Sequence, residues 1–132
     1  MKQIKTVFLA TALCGVSLAA VAHHSATGIY DPGKTIVLNG VLSSVDYVNP
    51  HVQFHITVKD ANGKTVVWTF GGAPPGWYRR AGIKQSEFTV GSEVTVIMHP
   101  ALDGSPSGAI QKLTFPGGRT VSLSFGGDSK AE

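Results

Sequence analysis

Val52, Phe54, Ile56 and Val58 alternate with His51, Gln53, His55 and Thr57. A period of two marks a strand with one buried face, and it puts both histidines on the face opposite the apolar set. Asn62-Gly63 follows as a hairpin turn. Lys64 to Phe70 then predicts a third strand, with Val66, Trp68 and Phe70 on one face. Upstream, Thr35 to Val48 is rich in Val, Ile and Leu and predicts a long first strand, ended by Asn49-Pro50. Gly40 inside it marks a bulge or sharp bend. Downstream, Gly71 to Gly76 is a breaker, Trp77 to Ala81 is a short helix, and Gly82 stops it. Glu93 to Met98 and Ala109 to Phe115 predict the fourth and fifth strands, separated by a loop over 99–108. Pro116-Gly117-Gly118 turns the chain into a last strand, Arg119 to Phe125.

Three strands, a short helical insert and two or three more strands fit an all-β fold. The expected architecture is a small five-stranded Greek-key barrel of the oligonucleotide/oligosaccharide-binding (OB) type, with the insert between strands 3 and 4. An open β-sandwich is the other arrangement this order allows. Val52, Phe54, Ile56, Val66, Trp68, Val94 and Val96 are the expected core. The chain divides into a leader over 1–22, an N-terminal loop segment over 23–34, the barrel over 35–125 and a flexible polar tail over 126–132.

The leader has the parts of a cleavable secretory signal. Lys2 and Lys5 are basic, 6–21 is uncharged and mostly apolar, and Ala20-Val21-Ala22 offers a small-x-small cleavage site. Ser17-Leu18-Ala19 is a second such site. The apolar run is shorter than the ~20 residues that span a bilayer. Cys14 is preceded by Leu13, which does not fit a lipid-attachment box, so the only cysteine would leave with the leader. Loss of Lys2 and Lys5 lowers the net charge from +3 to +1, which removes any electrostatic case for nucleic acid or an anionic membrane. The expected location is periplasmic or secreted, with no stable membrane insertion after cleavage.

The candidate chemistry lies in five histidines, His23, His24, His51, His55 and His99. Without cysteine, they are the main borderline-soft metal ligands of the exported chain. Cleavage after Ala22 would make His23 the first residue, whose amine and ring nitrogen can chelate one ion; a further imidazole completes a nitrogen set suited to copper. Retention of Ala20 to Ala22 would abolish that chelate. His51 heads the second strand and His99 ends the fourth; pairing of the first and fourth strands would let these ends approach. His55 lies about 13 Å along the strand from His51, so it is read as a solvent-facing strand residue. Arg79 and Arg80, beside Trp77 and Tyr78, suit either recognition of an anion or a solvated helix face. Asp103-Gly104 reads first as a turn. No nucleophile motif such as G-x-S-x-G is present.

Four motifs stand in order: His23-His24-Ser25; Asn49-Pro50-His51; Gly71-Gly72 with Arg80-Ala81-Gly82; and His99-Pro100-Ala101 with Asp103-Gly104-Ser105. This set resembles a family of small secreted bacterial proteins classed as a domain of unknown function. The resemblance implies that His23, His24, His51 and His99 belong to the pattern and that His55 does not. The chain departs from it at Ala26-Thr27-Gly28, where an aromatic residue is expected, and in a longer insert around Arg79-Arg80. The leading expectation is a periplasmic module holding a transition-metal ion, copper above others, through His23 or His24 with His51 and His99. The alternative is a metal-free interaction domain, binding a periplasmic protein or small ligand at a polar edge that includes Asn49, Arg80 and Asp103. An enzyme remains open only as a metal-dependent oxidoreductase.

Overall fold

The computed structural model describes residues 28–123. Six strands and one short helix follow in chain order: β1 (Ile36–Asp46), β2 (Gln53–Lys59), β3 (Thr65–Gly71), α1 (Pro75–Arg80), β4 (Glu93–Pro100), β5 (Ser107–Thr114) and β6 (Thr120–Ser122). A 3₁₀ turn, Gln85–Glu87, lies between α1 and β4. The sheet order is β3-β2-β1-β4-β5-β6, and a parallel pairing of β3 with β5 closes the first five strands into a barrel. The expected all-β barrel is therefore the fold, and the open sandwich is not.

Closure depends on β1 serving two partners. Its first half pairs with β4, from Ile36↔Met98 to Val41↔Glu93, and its second half with β2, from Val41↔Thr57 to Asp46↔Gln53. Gly40 sits where the partner changes. A Cβ there would lie 2.5 Å from the Thr57 carbonyl oxygen and 2.8 Å from Ile56 Cγ2, so the position tolerates no side chain. The bulge itself falls two residues later, between Leu42 and Ser44. Gly40 is thus the point of close approach, and the register shift beside it supplies the extra bend.

The barrel interior follows the alternation. Leu42, Val52, Phe54, Ile56, Phe70, Val96, Met98 and Leu113 are fully buried, with Val94 and Ile110 nearly so. Val66 and Trp68 are only half-buried, because β3 lies at the short parallel seam with β5. Trp68 packs against the core from its edge and stacks on Phe70. No polar or charged residue is buried among the described residues.

Helix α1 starts two residues before its expected beginning, because Pro75 stands at its first turn, where a missing N–H costs nothing. Pro74 before it is extended, as a residue preceding proline must be. The helix docks through Tyr78, whose ring meets Tyr47, Phe54 and Phe88 at 6.2–6.4 Å between ring centres. Among the described residues no helix is long and apolar enough to cross a membrane.

Candidate functional site

The segment ahead of β1 is anchored to one rim of the barrel. Tyr30 bridges Ala101, the Asp31 N–H donates to the Pro100 carbonyl at 2.9 Å, and the Leu102 N–H donates to the Ile29 carbonyl at 2.9 Å. These bonds extend the end of β4 by one short pairing. Tyr30 Oη also reaches β3, 3.5 Å from where a Cβ of Gly71 would stand. Tyr30 is the first aromatic residue after the histidine pair, and its part in holding the segment was not readable from strand periodicity.

His99 stands at this rim on the outer side of β4. Its Nδ1 lies 2.7 Å from the Lys34 carbonyl oxygen. His51, just ahead of β2, places its Nδ1 3.0 Å from the Gly72 carbonyl oxygen. A carbonyl oxygen can only accept, so in both rings Nδ1 carries the proton and donates it. In the neutral ring Nε2 then holds the free lone pair, and in both residues that nitrogen has no protein partner among the described residues. This is the arrangement that outer hydrogen bonds impose on metal-binding imidazoles.

Strand register relates the two positions. Gly71, next to the carbonyl that anchors His51, pairs with Ala109, and Ala109 pairs with His99. Two strand spacings, about 10 Å, therefore separate the Gly71 backbone from the His99 backbone. His23 and His24 lie outside the described residues. Among the described residues no three His, Cys, Asp or Glu side chains gather as an ion would need.

The remaining candidates are placed differently. His55 is not free in solvent: its side chain is 22% exposed, with Nε2 3.0 Å from Asp46 Oδ2 and Nδ1 3.2 Å from Thr69 Oγ1. Asp103 accepts the Ser105 N–H at 2.9 Å, as a turn residue does. The hydroxyl and then the N–H of Ser105 hold its carboxyl below the usual range. Asn49 and Arg79 line a depression of about 730 Å³ beside α1, with Tyr47, Gly76, Tyr78, Ile83 and Lys84. Arg80 is exposed at the end of α1 and turns its guanidinium back toward Gly76. Asn49 and Arg80 thus lie beside the helix, and Asp103 lies in the turn between β4 and β5.

The described residues thus form a closed five-stranded barrel of OB type that carries His51 and His99 at its surface, each tied through Nδ1 to a main-chain carbonyl. The chain belongs to a family of unknown function, DUF6152, whose sequence model matches residues 11–111. No curated protein and no solved structure matches it.

Proposed function

We propose that the protein is an exported metal-binding module that takes copper through His51 and His99, with the ligand set completed by His23 or His24. The observation that carries this reading is the matching hydrogen-bond pattern of His51 and His99. Each donates Nδ1–H to a main-chain carbonyl and so offers Nε2. Imidazole nitrogen suits copper, and two fixed imidazoles leave room for the N-terminal chelate. Reach permits it: Gly28 is four positions along the chain from His24, a span of up to ~14 Å. Gly28 adjoins Ile29, which is bonded to Leu102 on the same rim as His99. The barrel would hold the ion for delivery or sensing, and a periplasmic protein would be its partner.

Copper(II) titration into the chain beginning at His23, and into its His51→Ala and His99→Ala variants, tests this. One-to-one binding that weakens at least tenfold in both variants supports the site. Equal binding by all three leaves only the N-terminal chelate. No binding by any of them gives the case to the metal-free interaction domain. Ligating imidazoles must be unprotonated, so acidification should release the ion.

A further inference from the structure

We infer that the depression beside α1 is a second binding site, for a small organic anion with an oxyanion head and an apolar body. Three observations converge on it. Arg79 and Arg80 are neighbours in sequence, yet both guanidinium groups fold back over Gly76. A Cβ on that glycine would stand 3.3 Å from Arg80 Nη1 and 3.7 Å from Arg79 Nη2, so the two nitrogens are no more than 7 Å apart. Among the described residues neither guanidinium, nor the Lys84 ammonium, has a carboxylate within ion-pair distance.

The nearby acid is already committed. Glu87 accepts from Arg119 at 2.8 Å and from the Lys84 N–H at 2.7 Å. No Asp or Glu lines the depression, while Arg79 and Lys84 both do. Like charges held this close on one short helix repel, and an anion between them removes the repulsion. Guanidinium forks match the two oxygens of a carboxylate or phosphate head. Asn49 also lines the depression and carries a neutral amide donor.

The walls specify the rest of the ligand. Pro75, Ile83, Tyr47 and Tyr78 line the same space, Tyr78 with little exposed surface. At about 730 Å³ it is larger than an inorganic ion needs and falls in the range of small-molecule pockets. Apolar walls beside a cationic rim favour a head-and-body ligand over a bare ion. Glycine at 76 is consistent with this use, since a side chain there would crowd the Arg80 guanidinium and touch that of Arg79.

The site is independent of the metal reading, because it shares no residue with His51 or His99. The test is a titration of the ¹⁵N-labelled protein with benzoate, phenyl phosphate, inorganic phosphate and benzyl alcohol, followed by amide shifts. Saturable shifts at residues 75–85 and at the Asn49 side chain are expected with benzoate or phenyl phosphate. The tighter of these two identifies the head as carboxylate or phosphate. Inorganic phosphate and benzyl alcohol should bind at least tenfold more weakly. The Arg79→Gln/Arg80→Gln variant should lose at least tenfold in affinity while its other amide shifts stay in place, since both side chains are exposed. Unchanged binding by that variant, inorganic phosphate binding as well as the ring compounds, or no saturation with any ligand would overturn the proposal.

Discussion

His55 Nε2 stands 3.0 Å from Asp46 Oδ2 on β1, while its Nδ1 stands 3.2 Å from Thr69 Oγ1 on β3. One imidazole thus links three strands on the outer face of the barrel. Both ring nitrogens are occupied, in contrast to His51 and His99, where Nε2 has no protein partner among the described residues. His55→Ala should therefore leave copper affinity unchanged, whereas His51→Ala and His99→Ala should lower it. The Asp46 carboxylate is half exposed, so the pair contributes little to stability, on the order of 1 kcal/mol or less. Urea unfolding and copper titration of the same three variants check both statements.

Gly40→Ala should destabilise the barrel although it adds a single methyl group. The new Cβ would press on the Thr57 carbonyl and on Ile56, and the carbonyl belongs to a paired strand that cannot rotate away. Overpacking of this kind costs about 1–3 kcal/mol. The urea midpoint of the variant should fall while its slope with denaturant is unchanged. A midpoint equal to that of the parent would show that β1 can shift away from β2 at this point.

How far the sequence discloses this molecule depends on which residues signal locally. Val52, Phe54 and Ile56 alternate without interruption and are fully buried, so strand β2 and its register were legible. Val66 and Trp68 carry the same alternation but are half-buried, because periodicity shows which face turns inward and not how much neighbouring strands cover it. The β3–β5 seam that leaves them at the edge joins residues far apart in sequence, such as Phe70 and Gly108. The Tyr30–Ala101 bridge is equally long-range, and nothing local in residues 23–34 announces it. At the candidate site, the histidines could be picked out by type. Their tautomers could not, since these depend on main-chain carbonyls of Gly72 and Lys34 delivered by the fold. The folding of Arg79 and Arg80 over Gly76 follows the i+3 and i+4 spacing of a helix, but only a helix that begins at Pro75 rather than Trp77 contains Gly76.

Alkaline solution should weaken the fold through its buried phenols. Burial, and then the negative charge of Glu87, pushes the Tyr47 hydroxyl up to about 12. Burial also raises Tyr78, opposed by its hydrogen bond with the Ala73 main chain. The neutral phenols are favoured in the folded state, so their contribution is fully present below pH 10. Above pH 10 the unfolded chain ionises first, and stability falls as pH rises from 10 through about 12 for Tyr47. Unfolding midpoints at pH 9 and pH 11 should show this fall.

The same two tyrosines should respond oppositely to loss of the hydroxyl. Tyr47 Oη is buried with no hydrogen-bond partner among the described residues, so Tyr47→Phe removes an unsatisfied group and should be neutral or stabilising by up to about 1 kcal/mol. Tyr78 Oη accepts the Ala73 N–H at 3.2 Å, so Tyr78→Phe strands a buried donor and should cost about 1–3 kcal/mol. Denaturant unfolding of the two variants at neutral pH separates them, and the reverse order would contradict the hydrogen-bond assignment.

Processing at the leader would decide whether the proposed metal site can be completed. Cleavage after Ala22 makes the His23 amine a chelating donor beside its own ring nitrogen, whereas cleavage after Ala19 leaves Ala20-Val21-Ala22 ahead of it. Intact mass of the exported protein should correspond to a chain starting at His23. The amine can be tested apart from the imidazoles by keeping Ala20-Val21-Ala22 before His23. That change leaves every histidine in the chain but moves the free amine three residues away from His23. Copper affinity should then drop at least tenfold, with the remaining binding still sensitive to His51→Ala. If the extended chain binds as tightly as the authentic one, the amine is not a ligand, and the barrel histidines with His24 must supply the site unaided. The two measurements together separate a terminal chelate docked on the barrel from a set built of side chains alone.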